Sequence, residues 1–141
     1  MRRLRNFVAL DAGARALAWR ALLWTALLRV AVAVVRFARL RRWAEATTPR
    51  PGANYDARAV RRAVLRAQRL LPGTRCLVAA LVAERLLRQG ALPARVTIGV
   101  AKAGPTLDAH AWVESGDVTV CGDDVPRAHY RALATFDAGT R

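Results

Sequence analysis

The spacing of apolar and polar positions changes once along this chain, near Pro93. Before it the period is helical; after it the pattern alternates like strands. Residues 9–44 are rich in Ala, Leu, Val and Arg, with no Pro and only Gly13, and predict one long helix. Thr47-Thr48-Pro49-Arg50-Pro51-Gly52 reads as a linker. A second helix is expected to start near Asn54 or Asp56 and run to Leu71, burying Val60, Val64, Ala67 and Leu71. Arg58, Arg61, Arg62, Arg66 and Arg69 form mostly its solvated side. Pro72-Gly73 ends that helix, and Thr74 is the expected N-cap of a third over roughly 75–89, stopped by Gly90. This third helix is apolar nearly all round, through Leu77, Val78, Leu81, Val82, Leu86 and Leu87, which predicts a place in the domain centre.

Arg95 to Val100 alternates with β-branched residues and predicts a strand, followed by a loop at Gly104-Pro105. Ala109 to Glu114 and Val118 to Asp123 predict a hairpin across Gly116-Asp117, and the tail returns through Tyr130, Leu133 and Phe136. The expected fold class is α+β, helices first and then a small antiparallel sheet. The expected organisation is an N-terminal amphipathic helical segment over 1–46, a linker over 47–54 and a folded domain over 55–141. There is no internal repeat and no low-complexity tract.

Composition supports a packed domain: 141 residues, 54% apolar. Charge adds a second theme. The net charge is +14, from 24 basic and 10 acidic residues, and Lys102 is the only lysine. Such a balance suits an anionic partner; it also arises where arginine simply fills solvated positions. Residues 1–50 carry eleven arginines against Asp11 and Glu45. Residues 105–126 carry five acids (Asp108, Glu114, Asp117, Asp123, Asp124) and no Lys or Arg. The apolar run from Ala16 to Val35 is long enough to raise a transmembrane span, but Arg20 and Arg29 interrupt it. A charge near a bilayer centre costs roughly 2.5–3.5 kcal/mol even on the lenient insertion scale. Arg15, Arg29 and Arg36 sit at multiples of seven and so fall near one face. That pattern fits a helix packed on a protein core or docked on a partner, or one lying on an anionic membrane surface, and Trp19 and Trp24 suit both.

Two cysteines, Cys76 and Cys121, are too few for a disulfide framework, and no secretory signal is convincing, so a reducing cytoplasm is the expected compartment. No metal site is expected: the His and Cys residues lack zinc-finger spacing and no His-Glu-x-x-His run occurs. No glycine pattern for a nucleotide cofactor is present, and no motif supports nucleic-acid recognition.

The candidate chemistry is a thiol, an imidazole and a carboxylate. Cys76 falls in the first turn of the buried helix, where free amides and the helix dipole favour the thiolate. His110 lies between Ala109 and Ala111, small neighbours that leave its ring room, while His129 sits in a polar tail and reads as structural or solvated. If Gly116 and Asp117 are the turn residues, Ser115 faces Val118, Trp112 faces Cys121 and His110 lies opposite Asp123. Asp123 is therefore the expected orienting acid, and Cys121 a packing residue. A slip of one residue presents Gly122 or Asp124 instead. Asp108 is the fallback acid.

These residues stand in a context that resembles the transglutaminase-like leader peptidases of lasso peptide biosynthesis. The matching runs are Leu70-Leu71-Pro72-Gly73-Thr74-Arg75-Cys76-Leu77, Leu86-Leu87-Arg88-Gln89-Gly90, Val96-Thr97-Ile98-Gly99-Val100, Ala109-His110-Ala111-Trp112-Val113-Glu114 and Tyr130 to Phe136. The resemblance covers about residues 55–137. It implies a papain-like/transglutaminase-like domain and a cysteine protease that removes the leader of a lasso precursor, without a cofactor. Cys76 would be nucleophile, His110 base and Asp123 orienting acid. It implies as partners the precursor's leader peptide, a lasso cyclase and, in the split form of the system, a small leader-recognition protein. The chain shows no room for a recognition domain ahead of the protease, which fits the split form. The N-terminal helix would dock such a partner or touch the inner face of the membrane. The alternative, from another class, is a non-catalytic arginine-rich helical scaffold that docks a biosynthetic complex or a membrane surface.

Overall fold

The computed structural model describes Arg5 and residues 8–138. The ends of the expected segments, at residues 1–4, 6, 7 and 139–141, lie outside the described residues. Among the described residues four helices, α1 to α4, precede a four-stranded antiparallel sheet of order β3-β2-β1-β4, so the fold is α+β as expected.

Helix α1 spans Ala12–Val34 and opens on Asp11, whose carboxylate accepts from the Ala14 amide at 2.8 Å. It buries Leu17, Ala18, Ala21, Thr25 and Leu28, and the Thr25 hydroxyl is satisfied by donating to the Ala21 carbonyl at 2.7 Å. The single helix expected over 9–44 is in fact two. Val35 and Arg36 are extended, and α2 (Phe37–Glu45) sets off afresh. No Pro or Gly causes the break. It follows a valine-rich stretch (Val30, Val32, Val34, Val35) of weak helix propensity, and the new direction puts Leu40 and Ala44 into the core. By length and composition α1 could cross a membrane, with a mean hydropathy of 1.6, but its inner face is committed to the protein.

Helix α3 (Ala57–Leu70) is capped by Asp56, which accepts from the Ala59 amide at 2.7 Å. It buries Val60, Val64 and Ala67 as expected, whereas Leu71 falls beyond its end. Helix α4 (Cys76–Gln89) is the central element, with Val78 to Glu84, Leu86 and Leu87 all buried. Helix α1 packs across α3 and α4, and α4 lies against the sheet. The first two helices therefore share one apolar core with the rest.

Two arginines are structural. Arg85 lies over the rings of both Trp24 and Trp43, at 4.5 and 4.1 Å, and donates to the Thr47 hydroxyl at 2.8 Å. The two indoles meet edge-on at 5.0 Å, so one guanidinium ties α1, α2 and α4 together. Arg41 is buried against Glu84 and stacks 4.1 Å from the Phe136 ring.

Strand β1 (Ala94–Ala103) pairs with β2 (Thr106–Ser115) from Arg95↔Glu114 to Ala103↔Thr106, turning at Gly104. Strand β3 (Val118–Cys121) follows the Gly116-Asp117 turn. The tail forms a short 3₁₀ turn (Arg127–His129) and then β4 (Arg131–Ala138) on the free edge of β1.

Candidate active site

The register at the β2–β3 hairpin decides which groups meet. Ser115 faces Val118 and Glu114 faces Thr119, as the turn predicts. A bulge then intervenes, and Val113 pairs with Cys121 instead of Val120. One extra residue on β3 moves everything beyond it by one position. The expectation that His110 faces Asp123, and Trp112 Cys121, is thereby corrected. Counting outward from Val113↔Cys121 brings Asp124 level with His110.

The side chains follow that shift. Asp124 Oδ1 lies 3.8 Å from His110 Nε2. Asp123 turns to α3, where Arg61 meets its carboxylate at 2.8 Å and also donates to the Thr119 carbonyl at 2.6 Å. The Arg61 hydrogen bond holds the Asp123 carboxyl below the usual carboxylate range. Asp108, the fallback acid, accepts instead from the Tyr130 hydroxyl at 2.6 Å.

His110 is 6% exposed, and its closest polar partner is a backbone group: Nε2 lies 2.9 Å from the Gly122 carbonyl oxygen. A carbonyl only accepts, so Nε2 carries the proton. That tautomer leaves Nδ1 with a lone pair, the form a general base needs. The Gly122 carbonyl can hold the ring because Gly122 has φ +87°, and a Cβ there would lie 2.6 Å from the Ala111 carbonyl oxygen. Gly122→Ala is therefore expected to destabilise by about 2 kcal/mol or more, since the clash is with backbone. Urea denaturation measures it; an unchanged midpoint would mean the loop relaxes freely.

His110 and Trp112 project from the face of β2 opposite to Ala111 and Val113, which enter the core. Tyr130 covers them. Its ring centroid is 5.3 Å from that of His110, and the Trp112 ring stacks with His110 at 6.2 Å. Gly99, across from His110 in β1, leaves the space, because a Cβ there would lie 2.8 Å from Tyr130 Cβ and 2.9 Å from the Trp112 ring. The Asp108 hydrogen bond raises the Tyr130 phenol, and charges on Cys76 and Asp124 push the same way. Tyr130 thus packs beside His110 and feels the charges of Cys76 and Asp124. Sequence reasoning passed over Tyr130 and the Gly122 carbonyl, and a tyrosine in a polar tail gives no signal of either.

Cys76 is partly exposed at the first position of α4. The expected Thr74 cap is absent, since the Thr74 hydroxyl donates back to the Leu71 carbonyl at 2.6 Å. Arg75 takes the cap position without a side-chain bond, and the first helical bond is Ala79 N–H to the Arg75 carbonyl. The amides of the first turn therefore have no side-chain cap at Cys76. Cys121 differs. It is 1% exposed, and burial pushes its thiol up to about 12, so it stays protonated and inert. Among the described residues no cluster of three or more His, Cys, Asp or Glu is placed to hold a metal ion.

The domain thus presents a cysteine at a helix N-terminus, and that helix packs on an antiparallel sheet that carries a histidine. A family model described as the transglutaminase-like superfamily matches residues 22–135. The chain belongs to the transglutaminase-like superfamily. The match begins inside α1 and ends inside β4, so it takes in most of the first helix with the sheet. No curated protein and no solved structure matches the chain. The transglutaminase-like superfamily includes cysteine proteases, and the sequence resemblance agrees with it at that level.

Proposed function

We propose that this chain is a cysteine peptidase that removes the leader from a lasso peptide precursor, with Cys76 as nucleophile and His110 as base. The observation that carries the reading is the Nε2–H bond to Gly122, which leaves the Nδ1 lone pair of the neutral His110 ring to accept a proton. Nδ1 takes the thiol proton, and the thiolate attacks the carbonyl at the leader–core junction. The oxyanion meets the uncapped amides of α4. The imidazolium then returns its proton to the leaving amine, the C–N bond breaks, and water hydrolyses the thioester.

Asp124, not Asp123, is the carboxylate we assign to the imidazolium. It is 81% exposed and 3.8 Å away, while the Gly122 carbonyl does the orienting. Asp124→Asn is accordingly expected to cost less than about tenfold in kcat/KM, far from the roughly 10⁴-fold of a buried triad acid. The loss should shrink with added salt. Asp123→Asn is expected to register in stability through Arg61 and to leave the rate nearly unchanged. A larger rate loss from Asp123→Asn than from Asp124→Asn would return the role to Asp123.

The test of the function is cleavage of a synthetic precursor followed by mass spectrometry, with and without a separate recognition protein. We expect slow cleavage by the chain alone and faster cleavage with the partner, which raises the local concentration of the junction at Cys76. Full, partner-independent activity would show that recognition is built in. No cleavage under either condition, with Cys76 inert to alkylation, would favour the scaffold reading.

A further inference from the structure

Helix α1 is apolar on two faces, and the core uses one. Opposite Leu17, Ala21 and Leu28 stand Trp19, Leu23, Leu27, Val30 and Val34, which are 58%, 54%, 51%, 68% and 79% exposed. Steps of four, four, three and four residues align them in one stripe about 22 Å long. A continuous apolar stripe of that length is unusual on a soluble monomer and marks a contact surface.

The charge around it names the occupant. Between Asp11 and Glu45 there are seven arginines and no acid. Arg20 and Arg41 are engaged inside the protein, with Gln89 and with Glu84. Arg15, Arg29, Arg36 and Arg39 are exposed beside the stripe or just past its end. A second copy fits badly, because each chain carries +14 and the same arginines would meet across the interface. A transmembrane span fits badly too, because it would strip Leu17, Ala21 and Leu28 from the core and carry Arg20 and Arg29 into hydrocarbon.

We propose that the outer face of α1 lies on an anionic lipid surface. The stripe sinks about 5–10 Å to the boundary of headgroups and acyl chains. The exposed Trp19 indole suits that depth, and the arginine forks pair with lipid phosphates. The proposal rests on the fold and the charge pattern, and stands apart from the peptidase reading.

The experiment is co-sedimentation of the full chain with vesicles of equimolar phosphatidylglycerol and phosphatidylcholine, against phosphatidylcholine alone. Binding to the anionic vesicles is expected, weakening steeply from about 0.05 M to about 0.5 M salt. Leu23→Glu with Leu27→Glu should weaken it about tenfold or more. Arg29→Gln with Arg36→Gln should weaken it while leaving the stripe intact, and keeps the test valid if the glutamate pair disturbs folding, which circular dichroism reports. Brominated lipid should quench fluorescence in the wild type and less in Trp19→Phe. Failure to bind anionic vesicles, or binding indifferent to both pairs of substitutions, overturns the proposal. So does a lipid-free dimer that Leu27→Glu dissociates, which would make a second copy the occupant.

Discussion

Cys76→Ala is expected to abolish precursor cleavage while leaving the fold intact. The side chain sits at the first position of α4 and is partly exposed, so its loss leaves little cavity, and alanine is the best helix former. What disappears is the only thiol placed to react, since Cys121 is enclosed and its thiol is pushed up to about 12. In a serine peptidase, removal of the nucleophile costs about 10⁶-fold in kcat, and a comparable loss here would put cleavage below detection. Wild-type rates in the variant would end the cysteine-peptidase reading, whatever the fold. Alkylation near neutral pH gives the companion measurement. One label at Cys76 is expected in the wild type and none in Cys76→Ala. A label at Cys121 would mean that the core opens at the β2–β3 hairpin.

The elements that carry this chemistry were legible to different degrees, for physical reasons. Helix α4 announced itself through a continuous apolar pattern between Gly73 and Gly90, and Cys76 was placed at its start from sequence alone. The Gly116-Asp117 turn was legible because Gly116 supplies the positive φ that a tight hairpin requires. The bulge was not. Val118 to Cys121 offers apolar residues at three of four positions, so either face could turn inward, and alternation carries no mark of an inserted residue. That one residue exchanged Asp123 for Asp124 beside His110. Strand β4 was hidden in the same way, because its pairing with β1 shifts between Ile98 and Gly99 and breaks the period of two. The break between α1 and α2 carries no Pro or Gly signal, and the burial that rewards it lies in a helix more than thirty residues away.

That distant contact yields the other large effect. Glu84→Ala is expected to lower the unfolding free energy by about 3–5 kcal/mol, because it takes from a buried arginine its one buried counter-charge and leaves it only the half-exposed Glu45. Glu84 is 1% exposed in the middle of α4, where the pattern reads as plain core. One carboxylate oxygen meets Arg41 of α2, and the other meets Arg88 one turn on, at 3.0 Å. The Arg41 side chain is 6% exposed, and Glu45 at 2.6 Å is its remaining acidic partner, half in solvent. Arg41 also stacks on Phe136 of β4, so Glu84 fixes α2 and the edge strand to the helix that carries Cys76. Breaking the pair by removing one member differs in sign from replacing both. Arg41→Met with Glu84→Leu should recover most of the loss, since apolar residues of similar volume avoid the desolvation cost of two ions. Urea denaturation of Arg41→Met, Glu84→Leu and the double variant closes the cycle. A loss under about 1 kcal/mol in Glu84→Ala would show that Arg41 finds water, and that the ion pair is not what holds α2 in place.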